Sequence, residues 1–85
     1  MIKCILKNEI ETRVLIAENK TSLKEFASDI DISQTYLTQI LNGYRHPSPT
    51  VAYKIARGLR RDIEDIFLIK NVAKDNPLNE TEGVN

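Results

Sequence analysis

The chain has 85 residues, with twelve basic and twelve acidic side chains and a formal net charge of zero. That length allows one domain around one small core, and 41% hydrophobic residues suffice to fill it. Cys4 is the only cysteine, which excludes an intrachain disulfide and suits a reducing compartment. Neither a signal peptide nor an apolar run long enough to span a bilayer is seen, so a cytoplasmic protein with no membrane partner is expected.

The N-terminal segment, to about Lys20, reads as a helix. Leu6, Ile10, Val14 and Ala17 make one stripe at helical spacing, and Ile5, Leu15 and Ile16 make another beside it. Ser22-Leu23-Lys24-Glu25 is a capping box that opens a second helix, which buries Phe26, Ala27 and Ile30. Asp31-Ile32 ends it, and Ser33 starts the next helix almost at once, as in a helix-turn-helix.

The third helix, SQTYLTQILNG, has Ser33 at its N-cap and Gly43 just past its end. Leu37, Ile40 and Leu41 form its apolar stripe. Its other side carries Gln34, Thr35, Thr38, Gln39 and Asn42, and no charged side chain occurs from Ile32 through Tyr44. Amides and hydroxyls both donate and accept hydrogen bonds, an inventory that suits reading base edges in a major groove. A polar surface that simply lacks charge is the plain alternative.

Ser48-Pro49 starts a fourth helix with core positions Ala52, Ile55, Ala56 and Leu59. Asp62 caps a short fifth helix whose Ile63, Ile66 and Phe67 turn inward. From Asn71 the chain is polar and aperiodic, and reads as a flexible tail over 71–85 after a domain over 1–70. The expected architecture is all-α, a compact bundle of five short helices without strands.

Charge is unevenly spread. Residues 32–61 hold Arg45, Lys54, Arg57, Arg60 and Arg61 with no acid, for +5, whereas residues 62–85 sum to −4. The middle third can therefore face a polyanion although the whole chain is neutral.

Between Leu15 and Phe67 the sequence resembles the Xre/Cro-type helix-turn-helix domain of phage repressors and small bacterial regulators. The likeness rests on Ala27, Ile32-Ser33, Leu37, Ile40, Asn42-Gly43, Arg45, Pro47-Ser48 and Asp62-Ile63-Glu64-Asp65-Ile66-Phe67. It implies a lambda repressor-like bundle that binds double-stranded DNA, commonly as a homodimer on a palindromic operator. It also implies that Ser33 and Gln34 begin the phosphate and base contacts, that Gln34, Thr35, Thr38 and Gln39 read bases, and that Tyr36 lies at the margin of that face. Asn42 would touch a phosphate, Arg45 would grip the backbone, and Ser22 and loop residue His46 belong to the same DNA-binding set.

Several positions depart from the family pattern. Leu23 replaces a phosphate-binding Gln, Asp31 a turn Gly, and Arg60-Arg61 a Gly-Val pair. Ile16 and Leu41 stand where the family often pairs an Arg with a Glu, and as two apolar residues they are expected to meet in the core. Arg61 is expected to lay its stem over the core.

The leading function is sequence-specific DNA binding by a transcriptional regulator. The alternative is a protein-interaction module that keeps the fold without reading DNA, for which neutral charge, the lost Gln and the apolar first helix speak. The first reading requires Arg45 on the side of Gln34 and Gln39, and Lys54 or Arg57 is expected to join it there. An enzyme is not expected, since His46 has no carboxylate or nucleophile near it in sequence. Cys4 and His46 alone cannot make a zinc site, and no cofactor is implied.

Overall fold

The computed structural model describes residues 2–19 and 21–71. The order is β1 (Ile2–Leu6), α1 (Glu9–Glu18), α2 (Leu23–Asp29), α3 (Gln34–Leu41), α4 (Pro49–Gly58), α5 (Ile63–Ile66) and β2 (Phe67–Asn71). The strands pair antiparallel, from Ile2 opposite Asn71 to Leu6 opposite Phe67. The five helices are present, but the architecture is not all-α.

The first helix is shorter than its periodicity suggests, and the reason is local. Asn8 takes an extended conformation and its Oδ1 accepts from Glu11 N at 3.0 Å, so the helix begins at Glu9. The residues before it, with Ile2, Cys4 and Ile5, have strand preference and find a partner in β2. Alternation then turns Cys4 into the core, fully buried, opposite Ile69. The stripe Leu6–Ile10–Val14–Ala17 is not the buried face, since Ile10 is 74% and Val14 48% exposed. The core side of α1 is Thr12 and Ile16 instead. Thr12 is tolerated there because its Oγ1 donates to Asn8 O at 2.9 Å.

The remaining caps follow the sequence. Ser22 Oγ accepts from Glu25 N at 3.1 Å, and Glu25 Oε1 accepts from Ser22 N at 3.2 Å. Ser33 Oγ accepts from Tyr36 N at 3.0 Å, and Ser48 Oγ from Val51 N at 3.3 Å. At α5, Asp62 N donates to Asp65 Oδ2 at 3.1 Å.

Three helices end in the same Schellman arrangement, with one residue in the left-handed region. After α2, Asp31 N donates to Ser28 O and Ile32 N to Ala27 O. After α3, Gly43 N donates to Ile40 O and Tyr44 N to Gln39 O. After α4, Arg60 N donates to Arg57 O and Arg61 N to Ala56 O. The left-handed residues are Asp31 at φ 63°, Gly43 at φ 82° and Arg60 at φ 59°. Arg61 is exposed and borders a groove with Glu11, Leu15, Asp65 and Ile66.

One core collects Cys4, Ile16, Phe26, Ala27, Ile30, Leu37, Ile40, Leu41, Ala52, Ile55, Ala56, Leu59, Ile66 and Phe67. Ile16 and Leu41 are each 2% exposed in it. The sheet closes this core beside α4 and α5, which fixes both ends of the domain against the helices. The expected tail starts one residue later at the earliest, because Asn71 pairs with Ile2 in β2, and residues 72–85 lie outside the described residues.

Candidate nucleic-acid interface

The turn between α2 and α3 is short because the α2 cap and the α3 cap follow each other within residues 30–33. Ala27, buried and small, lets the two helices approach. Leu37, Ile40 and Leu41 anchor α3 in the core, which leaves its other face outward.

On that face Gln34 and Thr35 are exposed, and Thr38 and Gln39 are half-buried. Neutral amides and hydroxyls therefore line the accessible side of the helix. Ser22 and Ser33 use oxygen lone pairs for capping. Each hydroxyl retains its proton for donation outward.

Asn42 stands at the C-cap of α3, and its Oδ1 accepts from Arg13 Nη2 at 2.8 Å. Arg13 Nε also contacts Glu9 Oε2 at 2.8 Å, the one ion pair among the described residues. Arg45 follows in the loop, with its guanidinium 5.0 Å from the centroid of the Tyr36 ring. That distance fits a cation–π contact and sets the charge of Arg45 against the margin of α3. His46 lies in the same loop and borders an open groove with Ile2, Lys3, Tyr36, Pro47, Ser48 and Pro49.

Lys54 and Arg57 do not share that groove. They border another with Asp29, Ile30, Asp31, Tyr53 and Gly58, so two carboxylates accompany them. Of the cations considered in sequence, Arg45 is the one tied directly to α3.

Arg13 and Lys3 were not among the sequence candidates. Arg13 lies 29 residues before Asn42, and Lys3 reaches the rim of α3 only through strand pairing with residues beyond Phe67. Neither relation leaves a local pattern. Tyr44, 79% exposed beside Arg45, was likewise passed over.

Among the described residues, no group of three His, Cys, Asp or Glu side chains is placed to hold a metal ion. No helix there is long and apolar enough to cross a membrane.

A helix-turn-helix family profile matches residues 13–66. The crystal structure of the clp gene regulator ClgR from Corynebacterium glutamicum is similar, with a TM-score of 0.60 at 21% identity over 67% of this chain. The chain spans 61% of that relative's length, and at this identity the likeness is one of fold. No curated protein sequence matches. Because the profile covers more than half of its residues, the chain belongs to the Xre/lambda repressor-like helix-turn-helix family of DNA-binding transcription regulators.

Proposed function

We propose that this protein is a sequence-specific, repressor-like regulator that places residues 34–42 in the major groove of double-stranded DNA. The observation that carries the reading is the uncharged outer face of α3 with Arg45 held against its Tyr36. Base edges are read by paired donors and acceptors, which Gln34, Thr35, Thr38 and Gln39 supply. Phosphates are met by Arg45, His46, the hydroxyls of Ser22 and Ser33, and the Asn42 amide. The binding domain in this reading runs through Asn71 at the end of β2, and residues 72–85 are a polar appendage. It acts in the cytoplasm, as a homodimer on a palindromic site, because two copies related by a twofold axis double the number of base pairs read.

A second reading has one observation in its favour. Ile10 and Val14 leave an apolar strip on α1 open to solvent, as a protein-interaction module would. Selection from random duplexes, followed by titration against the selected and a scrambled duplex, distinguishes the two. The expected result is a clear preference for the selected duplex, and a palindrome among the winners together with a dimer mass supports the twofold arrangement. Equal affinity for both duplexes removes the DNA-reading function and leaves the interaction module.

A further inference from the structure

The two-stranded sheet lies outside the matched family span at both ends, since β1 precedes residue 13 and β2 follows residue 66. Its outer face is built in an unfavourable way. Lys3 and Lys70 stand directly opposite each other in the antiparallel register. Cys4 and Phe67 point into the core at 0% exposure, so alternation sends Lys3 and Lys70 outward on one face. Like charges in that position repel and weaken the strand pair. Among the described residues neither lysine has a carboxylate partner, the one ion pair being Glu9–Arg13.

Through Lys3 this pair adjoins the margin of α3. Lys3 lines the groove shared by Tyr36 and His46, and none of the residues lining that groove is acidic. Tyr36 carries the Arg45 guanidinium on its ring. His46 also borders a smaller groove with Glu9, but the Glu9 carboxylate is already taken by Arg13. Arg45, His46 and Lys3 thus lie about the Tyr36 margin of the recognition helix, and Lys70 stands across the sheet from Lys3.

We propose that Lys3 and Lys70 form a second phosphate grip, holding the DNA backbone beside the segment read by α3. The inference rests on the DNA-binding reading above. A phosphodiester between the two ammonium groups relieves their repulsion, so the arrangement that is costly in the free protein becomes favourable on DNA. A sheet-borne contact also fixes the angle at which α3 enters the groove, because both strands are tied to the core through Cys4, Leu6 and Phe67.

The test compares full-length wild type, Lys3→Gln, Lys70→Gln, the double variant and Arg45→Ala. Each is titrated against the selected and scrambled duplexes at several salt concentrations. Each lysine replacement should make the log–log salt slope shallower by about 0.9 per bound protein, on both duplexes alike. The thermal midpoint should stay level or rise, which a merely structural role for the lysines does not allow.

Unchanged slopes for the lysine variants, with a reduced slope for Arg45→Ala, overturn the second grip and leave the DNA reading standing. Absence of any preference by wild type overturns the reading itself. A last arm uses the full chain with Asp75→Asn, Glu80→Gln and Glu82→Gln, the acids that follow β2 in sequence. If the lysines affect the slope only in that background, the chain's own carboxylates occupy the pair and the DNA grip is rejected.

Discussion

Arg13 reaches from α1 to the far end of the recognition helix, where its Nη2 donates to Asn42 Oδ1 at 2.8 Å. Ile16 and Leu41 are buried in the core between these elements, and Arg13 supplies a polar link nearby at the surface. With the Asn42 oxygen occupied, its amide N–H groups are the ones left to face a phosphate.

This bond should appear as a coupling in a double-mutant cycle. Arg13→Ala and Asn42→Ala should each destabilise the fold by about 0.5–1.5 kcal/mol, with the lower end favoured because Arg13 is only partly buried. The double variant should lose less than the sum of the two. Urea titrations measure all three, and strict additivity would show that the contact contributes nothing in solution.

Ile16 and Leu41 provide a stronger test of the core. Both are 2% exposed. Leu41→Glu should cost about 3 kcal/mol or more by burying an unpaired carboxylate. Adding Ile16→Arg should return part of that loss if the two side chains meet. Thermal melts of both single variants and the double decide this, and a double variant no better than Leu41→Glu argues against contact.

The three left-handed helix ends make opposite predictions for glycine. Asp31→Gly and Arg60→Gly remove side chains from φ 63° and φ 59°. Each should stabilise by about 0.5–1 kcal/mol, after the greater freedom of glycine in the unfolded chain is subtracted. Gly43→Ala should lose about 1 kcal/mol from φ alone, since nothing lies within 4 Å of its added Cβ. Gly58→Ala differs, because it is helical and its Cβ would meet Ile30 Cγ2 at 2.8 Å and Phe26 Cε1 at 2.9 Å. Overpacking of about 1–3 kcal/mol should outweigh the roughly 1 kcal/mol gain in helix propensity. Calorimetry on the four variants checks both signs.

These positions also mark what the sequence made legible. Helix starts could be read because Ser22, Ser33, Ser48 and Asp62 are cap residues acting within three positions of themselves. Gly43 marked one helix end, and the family pattern pointed to Asp31. The strands escaped because Ile2–Leu6 and Phe67–Asn71 pair across more than sixty residues of sequence, and each run is too short for period alone to separate strand from helix. Reading helix back to the N-terminus also passed over Asn8, whose side chain sets the true start. On the outer face of α3 the residue types were legible. The partners Arg13–Asn42, Arg45–Tyr36 and Lys3–Lys70 were not, because each depends on tertiary placement.

Cys4 gives a prediction for alkaline pH. It is fully buried, and desolvation pushes its thiol above the ordinary value. The unfolded chain therefore ionises first, and the thiol's contribution to stability should be level below the ordinary thiol range and fall as pH rises through it. Cys4→Ala should be less stable overall, from the lost packing, but should lack the part of the alkaline decline due to the thiol. Denaturant midpoints between pH 7 and 10 measure this. An alkaline slope identical in both proteins would place the titrating group elsewhere.

The last prediction separates the roles of three residues at the DNA surface. Gln34, exposed at the start of α3, can both donate to and accept from an adenine edge. Gln34→Ala should cost about 1–3 kcal/mol on the selected duplex and relax preference at one base pair per half-site. Arg45 should meet a phosphate, which is the same under every base. Arg45→Ala should weaken selected and scrambled duplexes alike and make the salt slope shallower by about one unit per half-site. Tyr36 acts through Arg45, whose guanidinium lies 5.0 Å from its ring centroid. Tyr36→Leu should therefore weaken binding less than Arg45→Ala, without changing base preference. Combining the two should be no worse than Arg45→Ala alone, because the ring has nothing left to hold. If Tyr36→Leu instead alters which base is preferred, Tyr36 belongs to the reading face and not to its margin.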